Sequence, residues 1–130
     1  MSDRKYPASI PNAETEAFWT AAKRGKFLIK RCKECKEPHY FPRALCPFCL
    51  GDTDWEESSG EGSIYTYTIT RRSPTGPFSL GYVALKEGPT IYTNFVDCDF
   101  EKLTIGAKVK VVFKETEGGP PLPLFTLADI

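Results

Sequence analysis

The chain has 130 residues, and its 17 Lys and Arg residues balance 17 Asp and Glu residues, so the formal net charge is zero. This balance argues against a general nucleic-acid binder, whose affinity needs a surplus of cations. A hydrophobic content of 41% is enough for a modest core in one ordinary domain or two very small ones. No apolar run approaches the roughly 20 residues of a membrane span, and the first residues do not resemble a signal peptide. We therefore expect a cytoplasmic protein.

A helix is predicted over 13–24, after an extended arm over 1–12. Asn12 can cap its N-terminus, and Gly25 stands where a left-handed residue would end it. Phe18, Ala21 and Ala22 recur at i, i+3 and i+4, so they share one face of this helix.

Four of the five cysteines form two pairs with identical spacing. A C-x-x-C turn directs two sulfurs to one side of a tight knuckle, and two facing knuckles complete a tetrahedron of thiolates. Such a four-cysteine site is closed to water and substrate, so the metal is expected to be structural and to supply folding free energy. We predict one Zn²⁺ in a ribbon over 26–59, and its ligands are Cys32, Cys35, Cys46 and Cys49.

Iron is the main alternative metal. Cys46-Pro-Phe-Cys49 is followed by Gly51, as in rubredoxin knuckles, and the same sulfurs could hold iron. Nothing else in the sequence indicates electron transfer, which favours zinc. A redox dithiol or four unligated cysteines fit the paired spacing less well.

Two other reactive side chains are given structural roles. His39 is the only histidine, and it is expected on the surface of a ribbon strand because four thiolates already fill the metal site. Cys98 stands between two aspartates and is expected to be half-buried at a strand end. The sequence has no nucleophile elbow and no phosphate loop, so no catalytic residue is predicted.

The segment 60–130 is predicted to be a barrel domain of strands, joined to the ribbon by a hinge at 60–62. Strong β composition and clean alternation indicate five strands, with no room for crossover helices. A small antiparallel barrel or sandwich follows. The predicted strands are Ile64–Arg72, Leu80–Lys86, Thr90–Val96, Ala107–Glu115 and Leu124–Leu127.

A helix, a four-cysteine ribbon and a five-strand barrel in this order resemble the zinc-ribbon/OB-fold family of acyl-CoA-associated proteins, long labelled a domain of unknown function. The resemblance covers roughly residues 13–128. The stretches that carry it are Phe18-Trp19, Arg31-Cys32-x-x-Cys35, Phe41-Pro42-Arg43, Cys46-Pro47-x-Cys49, Gly62-Ser63-Ile64-Tyr65-Thr66-Tyr67-Thr68, Thr93-Asn94, Ile105-Gly106 and Val109-Lys110-Val111-Val112-Phe113. Lys36 departs from the family, which commonly has glycine there, and this is expected to loosen the first knuckle.

The resemblance implies a non-catalytic subunit that binds a thiolase-superfamily enzyme in a hetero-oligomer and helps form its acyl-CoA channel. Phe18 and Trp19, with the loop 73–78, are the candidate partner contacts. Because adjacent helix positions cannot both face one core, one of the two aromatic residues is expected to pack inward and the other to dock the partner. The phosphates of CoA would meet Arg71 and Arg72, or the block 23–43, which carries an excess of six positive charges.

Single-stranded nucleic-acid binding is the alternative function, since OB barrels and zinc ribbons both serve it elsewhere. The candidate stacking platforms are Tyr65, Tyr67, Tyr82 and Tyr92. The zero net charge and the balanced charge of the barrel argue against this alternative, so neither nucleic acid nor a membrane is the expected partner.

Overall fold

The computed structural model describes residues 10–40, 42–74 and 76–128. Most of the predicted N-terminal arm, together with Phe41 and Thr75, lies outside these residues. The described chain contains one helix, eight strands and a 3₁₀ turn at Phe100–Lys102. These elements are α1 (Glu16–Ala22), β1 (Leu28–Cys32), β2 (Pro38–His39), β3 (Thr53–Glu57), β4 (Glu61–Thr70), β5 (Phe78–Leu85), β6 (Thr90–Phe95), β7 (Lys108–Lys114) and β8 (Leu122–Leu127).

The helix α1 is shorter than the predicted 13–24, because turns replace its first and last residues. At its start, Asn12 accepts from the Thr15 N–H at 3.0 Å. At its end, Gly25 is left-handed with φ +75°, as predicted. The Lys26 N–H reaches back to the Ala21 carbonyl, which closes the terminus in a Schellman motif. None of the described helices is long and apolar enough to cross a membrane.

The ribbon is a three-stranded antiparallel sheet in the order β2-β1-β3. Its pairing brings the basic strand β1 against the acidic strand β3. Arg31 donates to Glu56 at 2.7 Å, and Lys33 lies 3.5 Å from Asp54. Cross-strand pairing therefore engages Arg31 and Lys33, two cations of the basic block that the sequence offered to CoA phosphates.

The barrel has the predicted five strands and closes in the order β4-β5-β6-β8-β7. One pair differs from the antiparallel expectation, since β6 runs parallel to β8 with Phe95 opposite Phe125. Gly81 permits a close crossing within the sheet, because a Cβ there would lie 2.2 Å from the Thr66 carbonyl oxygen. The predicted alternation of β7 is confirmed at its start, where Val109 is buried between exposed Lys108 and Lys110.

A single hydrophobic core joins the helix, the ribbon and the barrel. Phe18 from α1 and Phe27 from the ribbon pack edge to face with their ring centroids 6.0 Å apart. Phe27 also contacts Phe125 of β8 at 6.0 Å. Tyr40 closes the cluster against the rings of Phe18 and Phe27, and burial raises its pKa to about 12. The exact division into units at residues 26 and 60 stays a prediction.

The predicted hinge at 60–62 is wrong, because Glu61 and Gly62 belong to β4 and pair with β7. Glu87, in the β5–β6 turn, fixes the connection instead. Its carboxylate accepts from the Ser58 hydroxyl and from the Ser59 N–H, both at 2.8 Å. Burial opposes ionisation of Glu87, but these hydrogen bonds outweigh it and lower its pKa.

Replacing this carboxylate should destabilise the fold in a pH-dependent way. Glu87→Gln should lower the free energy of unfolding by about 1 kcal/mol at neutral pH. A folded-state pKa below the unfolded value gives stability that is present above the unfolded pKa and lost as pH falls through the folded pKa. The difference from wild type should therefore shrink below about pH 4. Unfolding midpoints at both pH values measure this, with exposed Glu117→Gln as the unchanged control; a pH-independent deficit would contradict it.

Candidate metal centre

The four paired cysteines converge on one point between the two knuckles. All their sulfurs lie within 4.8 Å of one another. Cys32 Sγ is 3.5 Å from Cys49 Sγ, and Cys35 Sγ is 3.7 Å from Cys46 Sγ. A tetrahedron with metal–sulfur bonds of roughly 2.3 Å has edges of about 3.8 Å. The donor set therefore fits a tetrahedral metal ion, and the cysteines are positioned to bind one.

Backbone N–H groups surround these sulfurs, as the tight knuckles require. Cys32 Sγ accepts from the N–H groups of Glu34 and Cys35, both at 3.3 Å. In the second knuckle, Cys46 Sγ accepts from the Phe48 N–H at 3.3 Å. Such donors stabilise thiolates, and they orient the sulfurs toward the metal position.

The residue after each second cysteine is left-handed, and in neither knuckle is it glycine. Lys36 and Leu50 both have φ +65°. With Lys36 in place of glycine, the first knuckle still has its two amide hydrogen bonds to Cys32 Sγ. Leu50 holds the same conformation in the second knuckle, where the glycine stands one residue later, at Gly51.

The thiols differ strongly in their acidity. Burial opposes ionisation of Cys32, but the N–H groups of Cys35 and Glu34 and the neighbouring thiols outweigh it and lower its pKa to about 6. The Glu37 N–H favours ionisation of Cys35, yet burial and the other thiols raise its pKa to about 12. Four sulfurs this close resist full ionisation until a cation compensates their charge.

His39 lies in the interior and not on the ribbon surface as predicted. Its relative exposure is 8%, and both ring nitrogens are buried with no partner among the described residues. Burial, with the charges of Lys30 and Arg43 nearby, lowers the pKa of His39. It stands outside the sulfur cluster. Cys98 is half-buried, as expected, and burial raises its pKa.

The two aromatic residues proposed as partner contacts differ in accessibility. Phe18 is buried in the core, so of these two neighbours it is the one that packs inward. Trp19 is half-buried, and its ring packs perpendicular to that of Phe18 at 4.9 Å. One edge of Trp19 lines a surface groove of about 490 Å³, beside Pro11, Glu16 and Lys23.

The two arginines proposed for CoA phosphates follow β4 and are exposed. Arg71 donates to the Glu101 carboxylate at 2.8 Å. No ion pair of Arg72 is found among the described residues. Arg71 is therefore engaged by Glu101, whereas the exposed guanidinium of Arg72 is accessible to an anion.

An exposed apolar surface at the second knuckle was not predicted. Phe48 and Leu50 have relative exposures of 68% and 72%, and Leu45 is exposed beside them in sequence. We call Leu45, Phe48 and Leu50 the knuckle tip. Its signal in the sequence was three apolar residues in a short loop whose cysteines were already committed to the metal site.

Comparison with known proteins gives consistent matches over most of the chain. Residues 19–56 match a family model described as the ChsH2 rubredoxin-like zinc ribbon domain, and residues 55–114 match one described as the ChsH2 C-terminal OB-fold domain. A solved structure described as "Ltp2-ChsH2(DUF35) aldolase" has a TM-score of 0.78 and 30% identity, covering 92% of this chain and 98% of that one.

Two curated relatives are longer than this chain. A probable enoyl-CoA hydratase alpha subunit of Thermomonospora curvata is 35% identical over 116 residues, which are 84% of this chain and 36% of the relative. A DUF35 domain-containing scaffold protein of Methanocaldococcus jannaschii is 35% identical over 91 residues, covering 65% of this chain and 64% of the relative. The match thus spans about a third of the length of the first relative and just under two thirds of the length of the second.

These matches agree with the order of helix, ribbon and barrel along the chain, with the converging sulfurs and with the closed barrel. The chain belongs to the DUF35 family, with the zinc-ribbon and OB-fold domains of the ChsH2 type.

Proposed function

We propose that this chain is a non-catalytic zinc-binding subunit of a hetero-oligomer in acyl-CoA metabolism of lipids, aromatic compounds or sterol side chains. It binds a thiolase-like enzyme and helps form that enzyme's acyl-CoA site. The observation that carries the proposal is the likeness to the chain solved in the Ltp2-ChsH2(DUF35) aldolase, which extends over 98% of that chain. The relatives described as a hydratase subunit and as a scaffold protein support the same role.

The geometry of the sulfur cluster supports a structural role for the metal. Four thiolates fill a tetrahedral site, so no coordination position is left for substrate. Iron could occupy the same sulfurs, and zinc is favoured because the matching ribbon family is a zinc ribbon. A cytoplasmic location stays part of the proposal, because four cysteines are assigned to the metal and Cys98 is a free thiol, so no disulfide framework is present among the described residues.

The knuckle tip supports a protein partner. Exposed Phe48 and Leu50 stand on a loop that the metal would hold rigid, and a rigid apolar projection costs little entropy when it enters a pocket. Leu50 also holds a left-handed conformation that glycine would adopt without strain. A strained and exposed leucine is unfavourable for the isolated chain, so we assign its side chain to binding.

Two further contacts stay part of the proposal. Trp19 would bury its free edge against the thiolase-like subunit, which the groove beside it permits. Arg72 would meet a phosphate of CoA, since its guanidinium is exposed. The loop 73–78 next to Arg72 is a candidate partner contact as well.

Nucleic-acid binding is the less favoured function. The tyrosine-bearing strands β4, β5 and β6 contain, after Glu61, no charged residue at all. Backbone phosphates need cations beside the stacking platforms, so this face lacks the main source of affinity for a single strand.

The metal assignment predicts about one zinc per chain by elemental analysis. Cys32→Ser and Cys46→Ser should lose the metal and the amide protection of β1 and β3, while the barrel strands largely keep theirs. Cys98→Ser is the matched control and should retain both. Iron in place of zinc would overturn the assignment, as would a protected ribbon without metal.

The partner assignment predicts a stable complex when the chain is co-expressed with its cognate thiolase-like protein. This chain alone should turn over no acyl-CoA, and the thiolysis activity of the complex should fall sharply when this chain is removed. Trp19→Ala should weaken assembly and leave the zinc content unchanged. Full activity of the thiolase-like protein alone, or turnover by this chain alone, would contradict the proposal.

Leu50→Gly tests the knuckle tip within that complex. Relief of the left-handed strain should raise the free energy of unfolding by about 1 kcal/mol, which is measured as a higher unfolding midpoint. Loss of the side chain should nevertheless weaken assembly. Lys36→Gly relieves the same strain in the first knuckle and is the control, since it should stabilise the chain without weakening the complex. Equal assembly of both variants would remove the knuckle tip from the interface.

A further inference from the structure

Strand β4 has a paired part and a part with one open edge. From Glu61 to Ser63 it pairs with β7 as well as with β5. Ile64 still exchanges hydrogen bonds with the loop before β7, through Ala107 and Gly106. From Tyr65 onward, the described pairing is with β5 alone. Alternate backbone N–H and C=O groups of 65–70 therefore face an edge with no neighbouring strand among the described residues.

This segment also projects beyond the barrel core. Tyr65, Thr66, Tyr67 and Thr68 are four consecutive exposed residues. Successive side chains of a strand point to opposite faces, so exposure of all four means that both faces are accessible. Tyr65 reaches 61% exposure at a bulge, where the register with β5 shifts.

The projecting segment lacks the usual protection of an edge strand. Natural edge strands carry Lys, Pro or inward charges that prevent pairing with other chains. Here the sequence Tyr-Thr-Tyr-Thr-Ile-Thr has strong β propensity and no charge, although 26% of the chain is charged. The uncharged surface continues on β5 and β6, where Tyr82 and Tyr92 lie in register with ring centroids 5.1 Å apart.

We propose that an extended strand of the partner subunit adds to this edge, pairing its backbone with Thr66–Thr70. The inference rests on the proposed function for the existence of that subunit. Another extended backbone can replace water at each open N–H and C=O group along the edge, which makes the edge a template for strand addition. Tyr65, Tyr67 and Tyr82 would cover the uncharged side chains of the added strand.

The charges at the end of the segment favour a different chain over a second copy. Two copies paired in parallel would set Arg71 and Arg72 against the same arginines. Two copies paired antiparallel about Thr68 would set the bulged Tyr65 of each against Arg71 of the other. The bulge would then interrupt the hydrogen-bond ladder at both ends. A partner strand has neither constraint, and an acidic residue at its end would meet Arg72.

Hydrogen exchange in the assembled complex tests the inference directly. The alternate amides of residues 65–70 that face the open edge should exchange about tenfold more slowly in the complex with the thiolase-like protein than in the free chain. Thr68→Lys should weaken assembly by about tenfold, because a charge on the edge blocks strand addition. Thr104→Lys, the same change at another exposed threonine, should alter the affinity less than about twofold.

The outcomes distinguish this inference from the function on which it rests. A complex that forms while the edge amides exchange as in the free chain overturns the strand addition and keeps the proposed function. Protection that appears in the chain alone, rising with its concentration, overturns it in favour of a second copy. If no complex forms with the thiolase-like protein, both proposals fail. Circular dichroism confirms that Thr68→Lys is folded before its affinity is compared.

Discussion

The contact between Phe27 and Phe125 is the interaction on which the arrangement of this molecule depends. Phe27 follows the helix terminus at Gly25 and begins the ribbon, while Phe125 lies at the centre of the barrel's last strand. Because both rings are buried in one core with Phe18, the helix, the ribbon and the barrel pack as a unit. A ribbon of about thirty residues has too little core of its own, so this shared packing adds to what metal binding supplies.

Electrostatics reinforces the same arrangement. The basic and acidic blocks of the sequence become adjacent strands, and Arg31 binds Glu56 across them. Lys30 of the same strand is buried over the Trp55 ring and donates to Thr53, and burial lowers its pKa. Arg31 and Lys30 therefore make their contacts within the ribbon. Arg72, at the end of β4, is an exposed cation whose position suits an anion.

The exposed features of the molecule suit binding more than chemistry. The sulfur cluster is closed, His39 is enclosed, and burial raises the pKa of the Cys98 thiol. The knuckle tip and the open edge of β4, by contrast, present apolar side chains and backbone groups outward. The first carries backbone strain, and the second exposes an edge where another strand can replace water. The assembly proposed above would use both features.

The sequence by itself determined the elements that depend on local patterns. C-x-x-C spacing, a glycine after a helix and alternating β residues act within a few positions of the chain, so the knuckles, the Schellman terminus and the five barrel strands could be predicted. The capping residue, the terminating glycine and the helical spacing of apolar residues also identified the helix. Its exact ends depend on turn geometry at Asn12 and Gly25.

Only the tertiary structure decided the features that join distant residues. The parallel pairing of β6 with β8, the burial of His39 and the Glu87 contacts across the supposed hinge connect segments that carry no mutual signal in a single sequence. Phe18 and Trp19 are adjacent in sequence, but only the packing of the helix against the core decides that Phe18 is buried and Trp19 half-buried. The open edge of β4 likewise follows from where β7 stops pairing, because strand exposure is a property of the neighbours and not of the strand.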